Sequence, residues 1–305
     1  DRDEEPIKIA LLQRHATDRV LEHKWKLFEP GPPTGKRVAI VGAGPADLSC
    51  ARELRRQGHA VTVFDAKPKA GGLTTYGIAE YKLKADVALA EVQDILDLGV
   101  ELKTGVTVTS VETLLEEFDA VFVGIGLGRT KRLGIPGEEL PGVIDALTFI
   151  EHLKTHPYRD TPVGRQVVVI GAGNTAIDAV TQAKRLGAES STIVYRRGEA
   201  EMPAYAYEYE LAKKDGCGFR FNAIPRRIVG NGAVAGVELS SGETIPCDMV
   251  IVAIGQGART ELVVPSDPRV FTGGDCANGG AEIVNAAAEG VAAARRIATL
   301  LANNS

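Results

Sequence analysis

The clearest hydrophobic pattern in the chain is a run of four apolar residues that ends on a glycine turn, and it occurs twice. Val38-Ala39-Ile40-Val41 meets Gly42-Ala43-Gly44, and Val167-Val168-Val169-Ile170 meets Gly171-Ala172-Gly173. Unbroken apolar runs of this length, rich in β-branched residues, suit strands buried on both faces, as in a parallel sheet covered by helices. In each copy a helix-ending glycine, Gly58 or Gly187, stands 16 residues past the first glycine of the turn. A β-branched strand then follows: Val61-Thr62-Val63-Phe64-Asp65 in one copy, and Thr192-Ile193-Val194-Tyr195-Arg196 in the other after two extra residues. The pattern predicts one βαβ unit used twice.

Between the copies, residues 85 to 99 have the spacing of an amphipathic helix ending at Gly99, and Ala120-Val121-Phe122-Val123 reads as a buried strand running into Gly124-Ile125-Gly126-Leu127-Gly128. After the second copy, Met249-Val250-Ile251-Val252-Ala253 is another buried strand. Val270-Phe271 then leads into Gly273-Gly274-Asp275, and an Ala-rich helix covers about Glu282 to Leu301. These last two pieces have no counterpart in the repeat, so the economical arrangement is a first domain interrupted by a second and completed by the C-terminal segment. The expected fold class is α/β, with two nested Rossmann-like dinucleotide-binding domains, 36–128 with 256–305 and 129–255. Residues 1–35, with Trp25 and the Pro30-Gly31-Pro32-Pro33 stretch, read as a short helical N-terminal segment and linker.

Composition narrows the function. A length of 305 residues fits two domains at roughly 150 each. Thirty-five basic against 40 acidic side chains give a net charge of -5 without a basic block, which argues against nucleic acid. No apolar run approaches a membrane span, so no membrane is expected either. The opening Asp1-Arg2-Asp3-Glu4-Glu5 lacks the charged-then-apolar order of a targeting sequence, and the expected setting is cytoplasmic. Cys50, Cys217, Cys247 and Cys276 are scattered singly, and the five histidines form no motif. Neither a metal site nor a dithiol centre is expected, so redox chemistry would have to come from a bound cofactor.

The glycine turns supply a reason to expect one. A pyrophosphate binds at a helix N-terminus because unpaired N–H groups and the helix dipole point at it, and glycines keep that approach open. Gly42 and Gly44, and Gly171 and Gly173, therefore read as two phosphate-binding turns. Asp65, 21 residues past Gly44, stands where a carboxylate can accept from ribose hydroxyls. Aligning Phe64-Asp65 with Tyr195-Arg196 puts Arg196, followed by Arg197, at the corresponding place in the second copy. Cations there suit the 2′-phosphate of NADPH, while Glu199 and Glu201 close by leave NADH as the alternative. Asp47 occupies the third fingerprint position, usually Gly or Ala. A carboxylate facing a phosphate at about 5 Å would cost on the order of 3 kcal/mol at an effective dielectric of about 20.

These residues, with Pro6-Ile7-Lys8-Ile9, Leu12 to Asp18, Gly71-Gly72-Leu73, Tyr76-Gly77-Ile78, Glu201-Met202-Pro203 and Val284-Asn285-Ala286, resemble a known family. It comprises the FAD- and NAD(P)H-dependent electron-transfer subunits typified by the glutamate synthase small subunit and the flavin-containing part of dihydropyrimidine dehydrogenase. The resemblance covers nearly the whole chain. It implies FAD contacts at Gly44, Pro45, Ala46, Asp65, Gly72, Leu73 and Lys82, and at Gly274 and Asp275 with Val284 near the flavin ring. It implies nicotinamide-nucleotide contacts at Gly173, Asn174, Thr175, Arg196 and Arg197, with Ala253, Ile254 and Gly255 closing the site. The implied activity is reduction of FAD by NAD(P)H, with electrons passed to a catalytic partner subunit of the dihydropyrimidine dehydrogenase or glutamate synthase kind. The Pro6 to Asp18 and Tyr76 to Lys82 segments look closer to the former.

Three features depart from the family pattern. No cysteine precedes Cys50, so the chain is not expected to hold an iron–sulfur cluster alone. Asp47 replaces a small residue. The stretch from Gln256 to Phe271 and the turn at Ser240-Ser241-Gly242 are shorter than the resemblance leads one to expect. Two other readings stay open at this point: a stand-alone diaphorase or oxidase with a soluble acceptor, and a non-catalytic scaffold whose flavin site Asp47 has impaired.

Overall fold

The computed structural model describes residues 7–303. In chain order it contains α1 (Ile9–His23), β1 (Arg37–Val41), α2 (Pro45–Arg56), β2 (Ala60–Asp65), α3 (Leu73–Tyr76), α4 (Ala85–Leu96), β3 (Glu101–Thr104), α5 (Val111–Leu115), β4 (Ala120–Val123) and β5 (Leu127–Thr130). There follow β6 (Val143–Asp145), α6 (Ala146–Thr155), β7 (Gln166–Ile170), α7 (Asn174–Arg185), β8 (Ser190–Val194), α8 (Ala206–Lys214) and β9 (Gly218–Arg220). The chain ends with β10 (Pro225–Gly230), β11 (Val234–Leu239), β12 (Thr244–Pro246), β13 (Met249–Val252), β14 (Gln256–Ala258), β15 (Val270–Thr272), α9 (Asp275–Asn278) and α10 (Ile283–Asn303).

The two apolar runs are β1 and β7, each central in a five-stranded, wholly parallel sheet. The strand orders are β15-β4-β1-β2-β3 and β6-β13-β7-β8-β9. The repeat is therefore deeper than the sequence pattern implies. It extends to β4 and β13, which flank β1 and β7 in the same way, and to the edge strands β15 and β6. The sheets differ in where the edge strand comes from: β6 precedes its sheet in the chain, whereas β15 returns after the whole second sheet is built.

Alternation along the central strands feeds two core layers per sheet. Val38 and Ile40 join Leu54 of α2, Phe122 and Ile297 of α10 on one face, while Ala39 and Val41 join Phe64, Val111 and Phe118 on the other. In the second sheet, Val167 and Val169 pack on α6 and α7, and Val168 and Ile170 face the small antiparallel sheet β10-β11-β12. Each fully buried Ile or Phe in these layers contributes roughly 1.5–3 kcal/mol relative to exposure. Helix α10 lies close on α2 because their contact is built from Ala46, Ala286, Gly290, Ala293 and Ala294. A Cβ at Gly290 would stand 2.0 Å from the Ala46 carbonyl oxygen, so only glycine permits this approach.

The chain passes between the two sheets twice, at β5 and β14, and these segments pair antiparallel as a short ribbon. Helix α1 confirms the helical lead-in over its described part. It buries no side chain, and Ile7, Ile9, Leu11, Leu12, Trp25 and Leu27 are all exposed. Residues 1–6 of the expected lead-in, Pro6 among them, lie outside the described residues. Helix α4 and helix α10 match the expected helices to within three residues at each end.

Candidate functional site

Both glycine turns sit at the C-terminal end of a central strand and open directly into a helix. Gly42 (φ +113°) and Gly171 (φ +130°) have conformations that L side chains rarely adopt. A Cβ on Gly42 would stand 2.8 Å from the Gly124 carbonyl oxygen, and one on Gly171 only 2.2 Å from that of Ala253. Each turn thus rests on the residue following the neighbouring strand, Gly124 after β4 and Ala253 after β13. Gly44 and Gly173 occupy the N-cap positions of α2 and α7, with Pro45 and Ala46, or Asn174 and Thr175, in the first helical turn. Nothing lies within 4 Å in front of Gly173, so its helix N-terminus faces open space.

Around the first turn the structure gathers most of the residues proposed for flavin. The Gly71 N–H donates to the Ala43 carbonyl at 2.7 Å, and Gly72 comes so near that its Cβ would stand 2.8 Å from the Gly44 Cα. Gly274 approaches from the other side, where a Cβ would stand 2.9 Å from that of Ala46. Three backbone segments, 43–46, 71–73 and 274–275, therefore converge on the start of α2, a cradle that side chains would fill. Asp65 at the end of β2 accepts from the Ala43 N–H and the Lys67 N–H, each at 2.7 Å. Burial pushes its carboxyl upward while these bonds and the nearby cations of Arg259 and Lys67 pull it down. Each oxygen keeps a lone pair for a ribose hydroxyl. A dinucleotide of the FAD kind fits this donor and acceptor set.

Asp275 opens α9 and accepts from the Ala281 N–H at 3.2 Å. The turn before it is held by a residue the sequence reading missed: Glu289 of α10 accepts from the Gly274 N–H at 2.6 Å and from the Asn278 amide at 2.9 Å. The available signal was an acid on the otherwise Ala-rich face of α10. Leu73, Ile254, Ile283 and Val284 expose large apolar side chains on the segments assigned to the two nucleotides, and Val284 is 71% exposed.

Asp47 does not stand where the sequence reading feared. Its side chain turns under the glycine turn, where Oδ2 accepts from the Gly44 N–H at 2.9 Å. Its other oxygen lies against Gly124, where a Cβ would stand 2.1 Å away, and that atom has no hydrogen-bond partner. Burial, reinforced by the charge of Asp65, pushes the Asp47 carboxyl well above the usual carboxylate range, although the Gly44 N–H pulls the other way. The carboxyl lies wholly buried beneath the turn, tied to the Gly44 N–H, and does not face outward from the helix N-terminus.

Lys82, assigned to flavin by resemblance, has its ammonium between two carboxylates of the second sheet's helices, 2.7 Å from Asp178 of α7 and 2.7 Å from Glu208 of α8.

The second turn carries one correction. The Gly42 N–H bonds the Phe64 carbonyl and the Gly171 N–H bonds that of Val194, so Phe64 corresponds to Val194 and Asp65 to Tyr195. Arg196 therefore lies one residue beyond the ribose-acid position. The slip arises because the connection after Gly187 is one residue longer than that after Gly58, not two, and strand ends carry no periodic signal. Tyr195 donates its hydroxyl to the Glu201 carbonyl, so no acid occupies the ribose position in the second copy. Glu201 accepts from the Gly198 N–H at 3.1 Å and Glu199 from the Tyr209 hydroxyl at 2.7 Å. Arg197 lies 4.0 Å from Glu201, and no ion pair holds Arg196 among the described residues. Both arginines are exposed. Asn174 accepts from the Tyr205 N–H at 3.0 Å, which fixes its side chain at the start of α7. Ile254 and Gly255 lie exposed beyond β13, and the Gly255 carbonyl accepts from the Lys131 N–H where the connecting ribbon begins.

Solved structures share this architecture. FprA from Mycobacterium tuberculosis in complex with NADPH superposes with a TM-score of 0.75 at 20% identity, over 90% of this chain and 85% of that one. The thioredoxin reductase of T. acidophilum gives 0.70 at 24% identity, over 85% of this chain and 96% of that one. Among curated relatives, the glutamate synthase [NADPH] small chain of Escherichia coli is 33% identical over an alignment of 347 residues, covering 94% of this chain and 74% of its own. That alignment is longer than the chain itself, so the relative has additional residues inside the matched span, in keeping with the short loops noted above. The NADP(+)-dependent formate dehydrogenase subunit beta of Moorella thermoacetica is 36% identical over 86% of this chain, which spans 43% of that subunit.

Fold and site together define an NAD(P)H-dependent FAD oxidoreductase built on two dinucleotide-binding sheets. Residues 36–266 match the pyridine nucleotide-disulphide oxidoreductase family, and the chain belongs to it, among the electron-transfer flavoprotein subunits that include the glutamate synthase small chain. Among the described residues no helix is long and apolar enough to cross a membrane, and no cluster of side chains could hold a metal ion.

Proposed function

We propose that the chain takes a hydride from NADPH into FAD and hands the electrons to a partner subunit that carries the terminal chemistry, in the cytoplasm. The observation that carries this reading is the pairing of two equivalent glycine turns on one chain with four cysteines, Cys50, Cys217, Cys247 and Cys276, that form no dithiol pair. The described residues hold no dithiol pair for a flavin to reduce, so in this reading the acceptor lies outside them. FAD supplies the redox chemistry. The protein's residues bind and orient: Gly44 to Ala46, Asp65, Gly72, Leu73, Gly274, Asp275 and Val284 for the flavin nucleotide, and Gly173 to Thr175, Arg196, Arg197 and Ala253 to Gly255 for the nicotinamide nucleotide. A partner of the glutamate synthase kind is supported by the 33% identity to that enzyme's small chain. One of the dihydropyrimidine dehydrogenase kind is supported by the Tyr76 to Lys82 segment.

The test is the visible spectrum of the FAD-reconstituted protein during anaerobic titration with NADPH. Bleaching of the flavin band is the expected result, with slow reoxidation by quinones or oxygen until a partner subunit is added. Failure to take up flavin at all would overturn the reading in favour of a scaffold, and fast turnover with soluble acceptors would favour a diaphorase.

NADPH is favoured over NADH because Arg196 is exposed and held by no ion pair among the described residues, while the nearby acids Glu199 and Glu201 are already engaged. Arg196→Ala is expected to lower the NADPH-to-NADH preference in kcat/KM by about 10- to 100-fold, the loss of one charge-assisted contact. An unchanged ratio would remove Arg196 from the phosphate site.

A further inference from the structure

The segment Glu80-Tyr81-Lys82-Leu83 belongs to the stretch between α3 and α4, where Glu80 accepts from the Ala85 N–H, yet the Tyr81 hydroxyl, the Lys82 ammonium and the Leu83 carbonyl all bond the second sheet's helices. The Lys82 ammonium bridges Asp178 of α7 and Glu208 of α8, each at 2.7 Å. The Tyr81 hydroxyl donates to Asp178 at 2.9 Å, while the Arg185 guanidinium covers its ring at 4.3 Å from the centroid. From α6, the Lys154 ammonium donates to the Leu83 carbonyl at 2.6 Å and lies 3.4 Å from Glu80. The charged groups at the centre are withdrawn from water: the Lys154 side chain is 0% exposed, Glu208 5% and Asp178 8%. One Glu208 oxygen, Oε2, has no hydrogen-bond partner.

Three helices of one unit thus grip four consecutive residues of the other. Other links among the described residues are α3 where it packs beside α6, the β5–β14 ribbon with its Thr130 hydroxyl on Asp145, the Lys67–Glu151 pair at 2.5 Å and the hydroxyl of Tyr205, which donates to Glu282. A ribbon of two short strands can twist, so it does not by itself fix the angle between the sheets. Buried ion pairs repay their desolvation only in strict geometry, and so they add little net stability while defining one arrangement sharply. From this we infer that Lys82 is a positioning residue: it docks the nicotinamide unit on the flavin unit in a fixed orientation, and it is not a ligand of the flavin. The inference rests on the hydride-transfer reading only for its kinetic consequence.

The test uses the full chain, reconstituted with FAD, with spin labels at Thr109→Cys and Ser241→Cys in a Cys276→Ser background. Both label positions are exposed and lie on different units. The wild-type clasp is expected to give one narrow inter-label distance, which Lys82→Met broadens or splits and Lys82→Arg restores. FAD affinity, read from quenching of flavin fluorescence, is expected to stay within about twofold, while anaerobic reduction by NADPH slows at least tenfold. An FAD Kd raised tenfold with an unchanged distance distribution would make Lys82 a flavin ligand and overturn the inference, as would a variant identical to wild type in all three readouts. If Lys82→Met does not fold, Glu208→Gln keeps the side-chain volume and carries the same comparison. Should the wild-type flavin fail to be reduced by NADPH, the hydride-transfer reading falls, while the distances and FAD affinities still decide the role of Lys82.

Discussion

Gly290→Ala is expected to cost about 3 kcal/mol of stability, although alanine is the better helix former by about 1 kcal/mol. The added Cβ would lie 2.0 Å from the Ala46 carbonyl oxygen, whereas a carbon and an oxygen rest roughly 3.3 Å apart or more. Helix α10 has to move off α2 by more than about 1 Å. That shift loosens the small-residue contact of Ala46, Ala286, Ala293 and Ala294 and disturbs Glu289, which holds the Gly274 N–H beside the proposed flavin cradle. A clearly lower melting temperature, together with weakened FAD binding, is the expected pair of results in thermal melts and flavin titrations. A melting temperature equal to that of the wild type would show that the helices do not pack as closely as described.

Asp47→Asn is expected to act in the opposite direction. The amide oxygen can still accept from the Gly44 N–H, and the wholly buried carboxylate disappears. Because the folded-state pKa of Asp47 is raised above its unfolded value, the native state holds a proton that the unfolded state releases as pH climbs past about 3.8. The wild type is therefore favoured most at low pH and loses stability as pH rises toward the raised pKa. The variant has no such loss. Its advantage should be near zero below pH 4, grow through the acid range, and reach on the order of 1–3 kcal/mol at neutral pH. Denaturant melts of both proteins across that range decide the matter. A difference that does not vary with pH would mean that Asp47 titrates in the native protein as it does in the unfolded chain.

The parts of this architecture that could be read from the sequence are those dictated by neighbours in the chain. The apolar runs of β1 and β7 and the turns at Gly42 and Gly171 declare themselves because burial on both faces and close backbone approach each demand a residue type at a fixed place. The limits appear where distant segments meet. The one-residue slip at Arg196 came from a loop whose length leaves no periodic trace. The burial of Asp47 depends on distant neighbours, among them Gly124, 77 positions away in the chain. Glu289 reaches the proposed flavin cradle through a bond to a turn 15 residues earlier. The pairing of Tyr81 and Lys82 with Asp178 joins groups nearly a hundred residues apart, and no local pattern announces an ionic contact of that kind.

The ribbon at which the chain leaves the first sheet and returns to it has a consequence for how the molecule is made. While the polypeptide emerges from the ribosome, β6, β13, β7, β8 and β9 are all complete by Val252, but the earlier sheet still lacks its edge strand β15 and its covering helix α10. The half that begins first is thus finished after the other, and it must wait with one face of β4 and α2 uncovered until β15 and α10 arrive. The paired strands keep its open edge beside the point where those residues will return, so the closing step is a short-range docking and not a search across the molecule.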